Sequence, residues 1–209
     1  MSDEKYYRQY AQSGIGQAYW ELTLDDYQLG TSIVKLVETY ILSLEDMKKK
    51  GLGLGFHGKI GTGKSMLGLI VLKEAIKRGY HAHSLTLDDI ADLYWSRNKE
   101  EVNSQIQSCL ERGSFLLLDD IPHMMDGRYD RINLLGKVVK KRVEDKKVTL
   151  YTTKLSLKEL EKVLGRDLFS VLKRGCIPIE IECEKDYSTI LSDQNFEYLL
   201  NKTKKARKS

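Results

Sequence analysis

Only two prolines occur in 209 residues. That scarcity argues against a loop-rich or polyproline architecture and suits a chain rich in helix. Cysteine is nearly as rare. Cys109, Cys176 and Cys183 are an odd number with no C-x-x-C pair, which excludes a disulfide framework and a structural zinc site of the usual spacing. Four histidines do not replace them. His81 and His83 alternate on one face of an expected strand, but no further ligand lies near them. No apolar run approaches the roughly 20 residues that span a bilayer, and the opening MSDEKYYRQYAQSG is polar throughout. A cytoplasmic protein with reduced thiols and no membrane partner is expected. Charge of one sign is in short supply as well: the net charge is only +4, which does not by itself point to nucleic acid.

The composition that remains is 41% hydrophobic and 31% charged, as in a globular chain with a core rather than a disordered one. The length suits one domain. Basic residues gather at Lys48–Lys50 and in the closing NKTKKARKS, both of which read as solvated segments. Three regions are expected: a lead-in and helix over 1–50, an α/β core over 51–185, and a C-terminal segment with the basic tail over 186–209. Ile33, Leu36, Val37, Tyr40, Ile41 and Leu44 recur at helical spacing and predict one helix over 31–50, stopped by Gly51. Strands are expected at 52–57, 80–85, 114–118, 148–153 and 177–181. Helices are expected at 64–78, 87–111, 130–145, 157–164 and 167–173. This alternation predicts a parallel sheet with helices on both faces.

Residues 58–65 read GKIGTGKS and match G-x-x-x-x-G-K-[ST] at every fixed position. Gly58, Gly61 and Gly63 allow a tight turn with inward N–H groups, and the helix starting near Lys64 adds its positive end. The whole loop and its neighbour, through Lys59, Ile60, Thr62 and Met66, is therefore expected to cradle the phosphates of ATP. Lys64 would meet the β/γ-phosphates, and the Ser65 hydroxyl would bind Mg²⁺. Residues 115–120 read FLLLDD, a buried strand that delivers two acids at its C-terminal end, where ligands sit in open α/β sheets. Asp119 is expected to complete the Mg²⁺ shell and Asp120 to orient or deprotonate the attacking water. After the strand VTLYTT, Thr153 and Lys154 are expected to touch the γ-phosphate or that water.

These segments resemble the ATPase domain of the AAA+ helicase loaders of the DnaC/DnaI type and of the related IstB-like ATPases. SGIGQAYWELTLDDY is similar to the family's lead-in and GLGFHGKIGTGKSMLG to its phosphate loop. LLLDDIP is similar to its acid motif, VTLYTTKLSLKEL to its sensor strand and LGRDLFSVLKRGCIPIEI to its closing segment. The resemblance covers roughly residues 10–185. It implies a P-loop NTPase of AAA+ type, with a five-stranded parallel sheet in the order 5-1-4-3-2. It also implies ATP bound between subunits, an ATP-dependent homo-oligomer, and action with a replicative helicase or other DNA-bound protein. No helical lid domain or helicase-binding module is expected from the length available.

The chain departs from the family pattern in specific places. Asp119-Asp120 stands where the family usually has Asp-Glu, and Lys154 where it has an asparagine. Val171 takes the place of the arginine that reaches a neighbour's ATP, which leaves Arg174 or Arg166 for that role. Tyr94, Trp95, Arg97 and Lys99 mix aromatic and basic side chains as a single-stranded DNA contact would, although packing onto the sheet explains the aromatics equally well. The expected activity is ATP hydrolysis, with slow turnover allowed for. The readings held are a compact helicase loader, an IstB-like transposition ATPase, and a weakly hydrolysing ATP-dependent adaptor.

Overall fold

The computed structural model describes residues 3–95, 113–121 and 129–182. Ahead of the sheet come helices α1 (Tyr7–Gln12), α2 (Thr31–Leu42) and α3 (Leu44–Lys50). The core then runs β1 (Gly53–His57), α4 (Lys64–Lys77), β2 (Ala82–Thr86), α5 (Leu87–Trp95) and β3 (Phe115–Asp119). It closes with α6 (Tyr129–Glu144), β4 (Val148–Thr153), α7 (Leu157–Gly175) and β5 (Cys176–Glu180).

The five strands pair in the order β2-β3-β4-β1-β5, and each pair is parallel. Read from the other edge this is 5-1-4-3-2, the AAA+ order. Every residue of β1 and β4 is buried, and so are the first four of β3, which is why FLLL reads as a continuous apolar run rather than an alternating one. Successive side chains of a strand go to opposite faces, so the core divides in two. On one face Leu54, Phe56, Leu117 and Leu150 pack with α4, α2 and the lead-in. On the other Leu116, Leu118 and Tyr151 pack with α5, α6 and α7. Because α4 is covered by the lead-in as well as the sheet, ten consecutive or near-consecutive residues from Met66 to Ile76 are buried, Lys73 among them.

Several boundaries differ from expectation. The helix expected over 31–50 breaks at Ser43, whose backbone leaves helical geometry at φ −94°, ψ 16°. The second strand starts at Ala82 rather than at residue 80, and the Tyr80 ring instead packs against Phe115 with centroids 5.4 Å apart. The break expected between helices at 157–164 and 167–173 is present: Gly165, inside α7, leaves helical geometry at φ 75°, ψ 157°. The described part of the expected polar lead-in, residues 3–30, is folded onto the core: Tyr10 and Ile15 are buried. Of the expected helix over 87–111, residues 87–95 are described and helical. No helix among the described residues is long and apolar enough to cross a membrane.

Candidate functional site

All five strands point their C-terminal ends the same way, and the loop of residues 58–65 leaves β1 at that end. Gly58 (φ 142°) and Gly63 (φ 74°) adopt backbone that other residues rarely take. At both, close approach adds to the requirement. A Cβ on Gly58 would lie 2.4 Å from the Ile181 carbonyl, and one on Gly63 would lie 2.7 Å from the Tyr27 ring. The loop is braced from inside. The Thr62 hydroxyl donates to the Lys59 carbonyl at 2.9 Å, and Lys64 Nζ donates to the same carbonyl and to Thr62 Oγ1. The helix α4 begins at Lys64, so its free N–H groups and dipole face the loop.

The acid strand meets the loop directly. Ser65 Oγ donates to Asp119 Oδ1 at 2.8 Å, and Thr152 Oγ1 donates to the same oxygen at 2.6 Å. The Asp120 N–H in turn donates to Thr152 Oγ1 at 2.7 Å. One hydroxyl and one carboxylate, side by side at the edge of an anion cradle, are the hard oxygen donors that Mg²⁺ takes from a protein when phosphates and water supply the rest. The donor set therefore fits that ion. Asp120 is exposed and holds φ 54°, an uncommon value outside glycine. Burial lowers the affinity of Lys64 for its proton; Asp120 and Asp119 oppose that shift and Lys154 adds to it. Both acids and Lys154 thus act electrostatically on Lys64.

Lys154 also lines a cavity of about 630 Å³ with Gly58, Lys59, Ser156, Glu159 and Glu180. Its neighbour Thr153 behaves otherwise. It is 1% exposed, and its hydroxyl is engaged with the Ile121 carbonyl at 3.1 Å and the Leu155 N–H at 3.2 Å. Thr152, one residue earlier, is the threonine bonded to Asp119, because alternation along β4 sends the two side chains to opposite faces. Ile60 stands 73% exposed at the loop tip.

His57 ends β1 immediately before the loop and is fully buried. Its Nδ1 lies 3.0 Å from the Leu155 carbonyl and its Nε2 lies 2.6 Å from the Tyr151 hydroxyl. A carbonyl only accepts, so Nδ1 carries the proton and Nε2 accepts from Tyr151. Burial holds this imidazole below its ordinary pKa, aided by Lys64 and opposed by the Leu155 carbonyl and Glu180.

Arg174 is exposed near the end of α7, two residues before Cys176, which pairs with Gly53 at the start of β1. It therefore sits at the opposite end of the sheet from the loop of its own chain. Arg166 is exposed just past Gly165, and Val171 is packed against the second core cluster. Tyr94 and Trp95 fall in the last turn of α5. Arg97, Lys99 and the basic tail lie outside the described residues.

Two partners of the site were missed in the sequence: Thr152, and Tyr27, whose hydroxyl donates to the Thr62 carbonyl at 3.0 Å. Thr152 carried a signal in the alternation of β4. Tyr27 carried none beyond its place in the lead-in.

The chain is similar to the replicative helicase loader DnaC of Escherichia coli (strain K12), 26% identical over 122 residues, which are 57% of this chain and 49% of that protein. It thus spans about half the length of the curated relatives it matches. Among solved structures, the DnaC helicase loader superposes with TM-score 0.69 at 21% identity, covering 80% of this chain and 100% of that one. AMPPCP-bound DnaA from Aquifex aeolicus gives TM-score 0.66 at 20% identity, covering 88% of this chain and 56% of that one. These two show the fold. The family model described as IstB-like ATP binding protein matches residues 18–172, a span that contains the phosphate loop, the acid pair and the sensor strand, and the chain belongs to that family.

Proposed function

We propose that this chain binds ATP with Mg²⁺ at residues 58–66, hydrolyses it, and works as a helicase-loader-type AAA+ ATPase. It would assemble, in an ATP-dependent homo-oligomer, on DNA or on a hexameric replicative helicase. The hydrogen-bonded set Ser65, Asp119 and Thr152 carries this reading, because it seats a magnesium-type donor pair beside an anion cradle. The similarity to DnaC, itself a replicative helicase loader, supplies the partner class.

In this scheme the loop N–H groups and Lys64 bind the phosphates. Ser65 and Asp119 would hold Mg²⁺, which when bound neutralises charge on the phosphate oxygens. Thr152 fixes Asp119 and, through the Asp120 N–H, sets the backbone of the second acid. Asp120 orients the attacking water and takes its proton. Lys154 faces the same space from β4. Arg174 of a neighbouring copy is the trans contact, with Arg166 as the alternative, and Tyr94, Trp95, Arg97 and Lys99 contact single-stranded DNA.

The experiment is a pair of variants. Lys64→Ala removes the cationic contact and should abolish nucleotide binding by calorimetry. Asp120→Asn should keep binding and lower turnover about a hundredfold. Unchanged affinity in the first, or turnover equal to wild type in the second, rejects the assigned roles. A second reading, an IstB-like transposition ATPase, is favoured by the family match over residues 18–172. ATP-dependent filaments on duplex DNA, with no helicase recovered by affinity pull-down from the host, would select it. Tight ATP binding with negligible turnover in the wild type would select an adaptor.

A further inference from the structure

The lead-in is a strap laid along α4 and fastened at both ends. At the first fastening, Lys73 in the middle of α4 is 2% exposed. Its ammonium donates to the carbonyls of Tyr19 at 2.9 Å, Trp20 at 2.7 Å and Leu22. Trp20 Nε1 donates to the Ile15 carbonyl at 2.9 Å, which closes the preceding turn. From there the strap passes a short helical turn at Leu24–Asp26. Its start is capped reciprocally by Thr23 and Asp26, with the Thr23 N–H 2.7 Å from Asp26 Oδ2. At the second fastening, Tyr27 is 5% exposed, its ring lies against Gly63 and its hydroxyl donates to the Thr62 carbonyl at 3.0 Å.

That last bond acts on the peptide between Thr62 and Gly63. In a trans peptide the C=O and the N–H point in opposite directions. Holding the Thr62 carbonyl toward Tyr27 therefore turns the Gly63 N–H away from Tyr27. Gly63 can swing through a wide range of backbone angles, so without a tether this peptide would be the softest donor in the loop. The Thr62 side chain is itself tied to Lys59 and Lys64, which leaves the peptide plane as the part that Tyr27 sets.

We infer that Tyr27 is a positioning residue for phosphate binding: its hydroxyl fixes the Thr62–Gly63 peptide so that the Gly63 N–H is aimed at the bound phosphates, and the strap anchored on Lys73 holds Tyr27 in place. This rests on the reading of residues 58–66 as the ATP site.

The test compares three single variants with wild type, using ADP in magnesium buffer by calorimetry and thermal unfolding without nucleotide. Tyr27→Phe keeps the ring against Gly63 and deletes only the hydroxyl. Tyr40→Phe deletes the same kind of bond, a buried tyrosine hydroxyl on a backbone carbonyl (Leu52, 2.7 Å), on the same face and away from the loop. Lys64→Ala reports on the site itself. Tyr27→Phe should weaken ADP binding about fivefold, the size of one neutral hydrogen bond, and Tyr40→Phe should leave affinity unchanged, although both lower the melting temperature. Unchanged affinity in Tyr27→Phe, with Lys64→Ala impaired, overturns the inference and leaves the ATP site standing. Equal losses of affinity in Tyr27→Phe and Tyr40→Phe overturn it too, because the effect is then general stability. A wild-type chain that binds no ADP or ATP overturns both.

Discussion

Among the described residues each face of the sheet buries one cation, and the two are used differently. Lys73 on α4 is 2% exposed and gathers three carbonyls of an irregular segment. Arg142 on α6 is 1% exposed and reaches the starting ends of two adjacent strands. It donates to the Gly113 carbonyl at 3.1 Å, the Val148 carbonyl at 2.7 Å and Thr149 Oγ1 at 3.1 Å. Burial pushes the Arg142 pKa down to about 10, against the opposing pull of Cys176 and Asp145, so the guanidinium stays charged at neutral pH. The side chains match their tasks. An ammonium is a compact point charge with three rotatable donors, suited to carbonyls that converge from one turn. A guanidinium is a rigid planar fork, suited to acceptors spread along strand ends. One cation therefore secures an attached strap, the other the sheet itself.

The sharpest way to test that contrast is Arg142→Leu. It leaves two carbonyls and a hydroxyl buried without their donor, and the expected loss is about 3–5 kcal/mol. In a domain of this size that lowers the melting temperature by about 10 °C in one cooperative transition. Arg142→Lys keeps the charge but not the fork and should recover less than half of the loss. Full recovery would mean that charge, not geometry, is what the strand ends require.

Lys73→Met should cost less, about 2 kcal/mol, and the cost should be local. Hydrogen exchange should rise over residues 13–27 while the amides of β1, β3 and β4 keep their protection. If exchange rises equally across the sheet, the strap is part of the core's cooperative unit and the contrast between the two cations fails.

The smallest effect concerns pH. His57 has a folded pKa below the ordinary 6.5, so at lower pH the unfolded chain takes up a proton that the folded chain resists. Its share of stability is complete above about pH 6.5 and is lost as pH falls below it. His83 contributes with the same sign, through burial first and then His81 and Arg142. His57→Gln should make the decline of stability below that pH shallower without abolishing it. An unchanged slope would assign the whole effect to His83 or another group.

What was legible in the sequence followed from signals carried by neighbouring residues. The phosphate loop, the helix after it and the acid strand all show themselves in short windows, because strand ends and glycine turns impose local rules. The sheet order came with the family resemblance. What escaped depended on distance or on phase. Lys73 sits in the middle of a helix and reads as a solvated charge, yet the lead-in covers it from more than 50 positions away. Tyr27 is one of twelve tyrosines and meets Thr62 only through folding. Thr152 and Thr153 were separable only by knowing which face of β4 each occupies.

The strand that leads into the loop is also the last to be completed by its partners. β1 is flanked by β4 and β5, and Gly53 pairs with Cys176, roughly 120 residues further along the chain. At a synthesis rate of about 5–20 residues per second, that partner leaves the ribosome roughly 6–25 s after β1 does. Until β4 emerges, β1 and the loop behind it have helix α4 and the lead-in, but no strand on either side. A phosphate loop carried by a strand whose two neighbours are both made later thus gains its sheet partners only late in translation. If residues 58–66 bind ATP as proposed, a ribosome-stalled fragment ending before β4 should retain less nucleotide than the released protein.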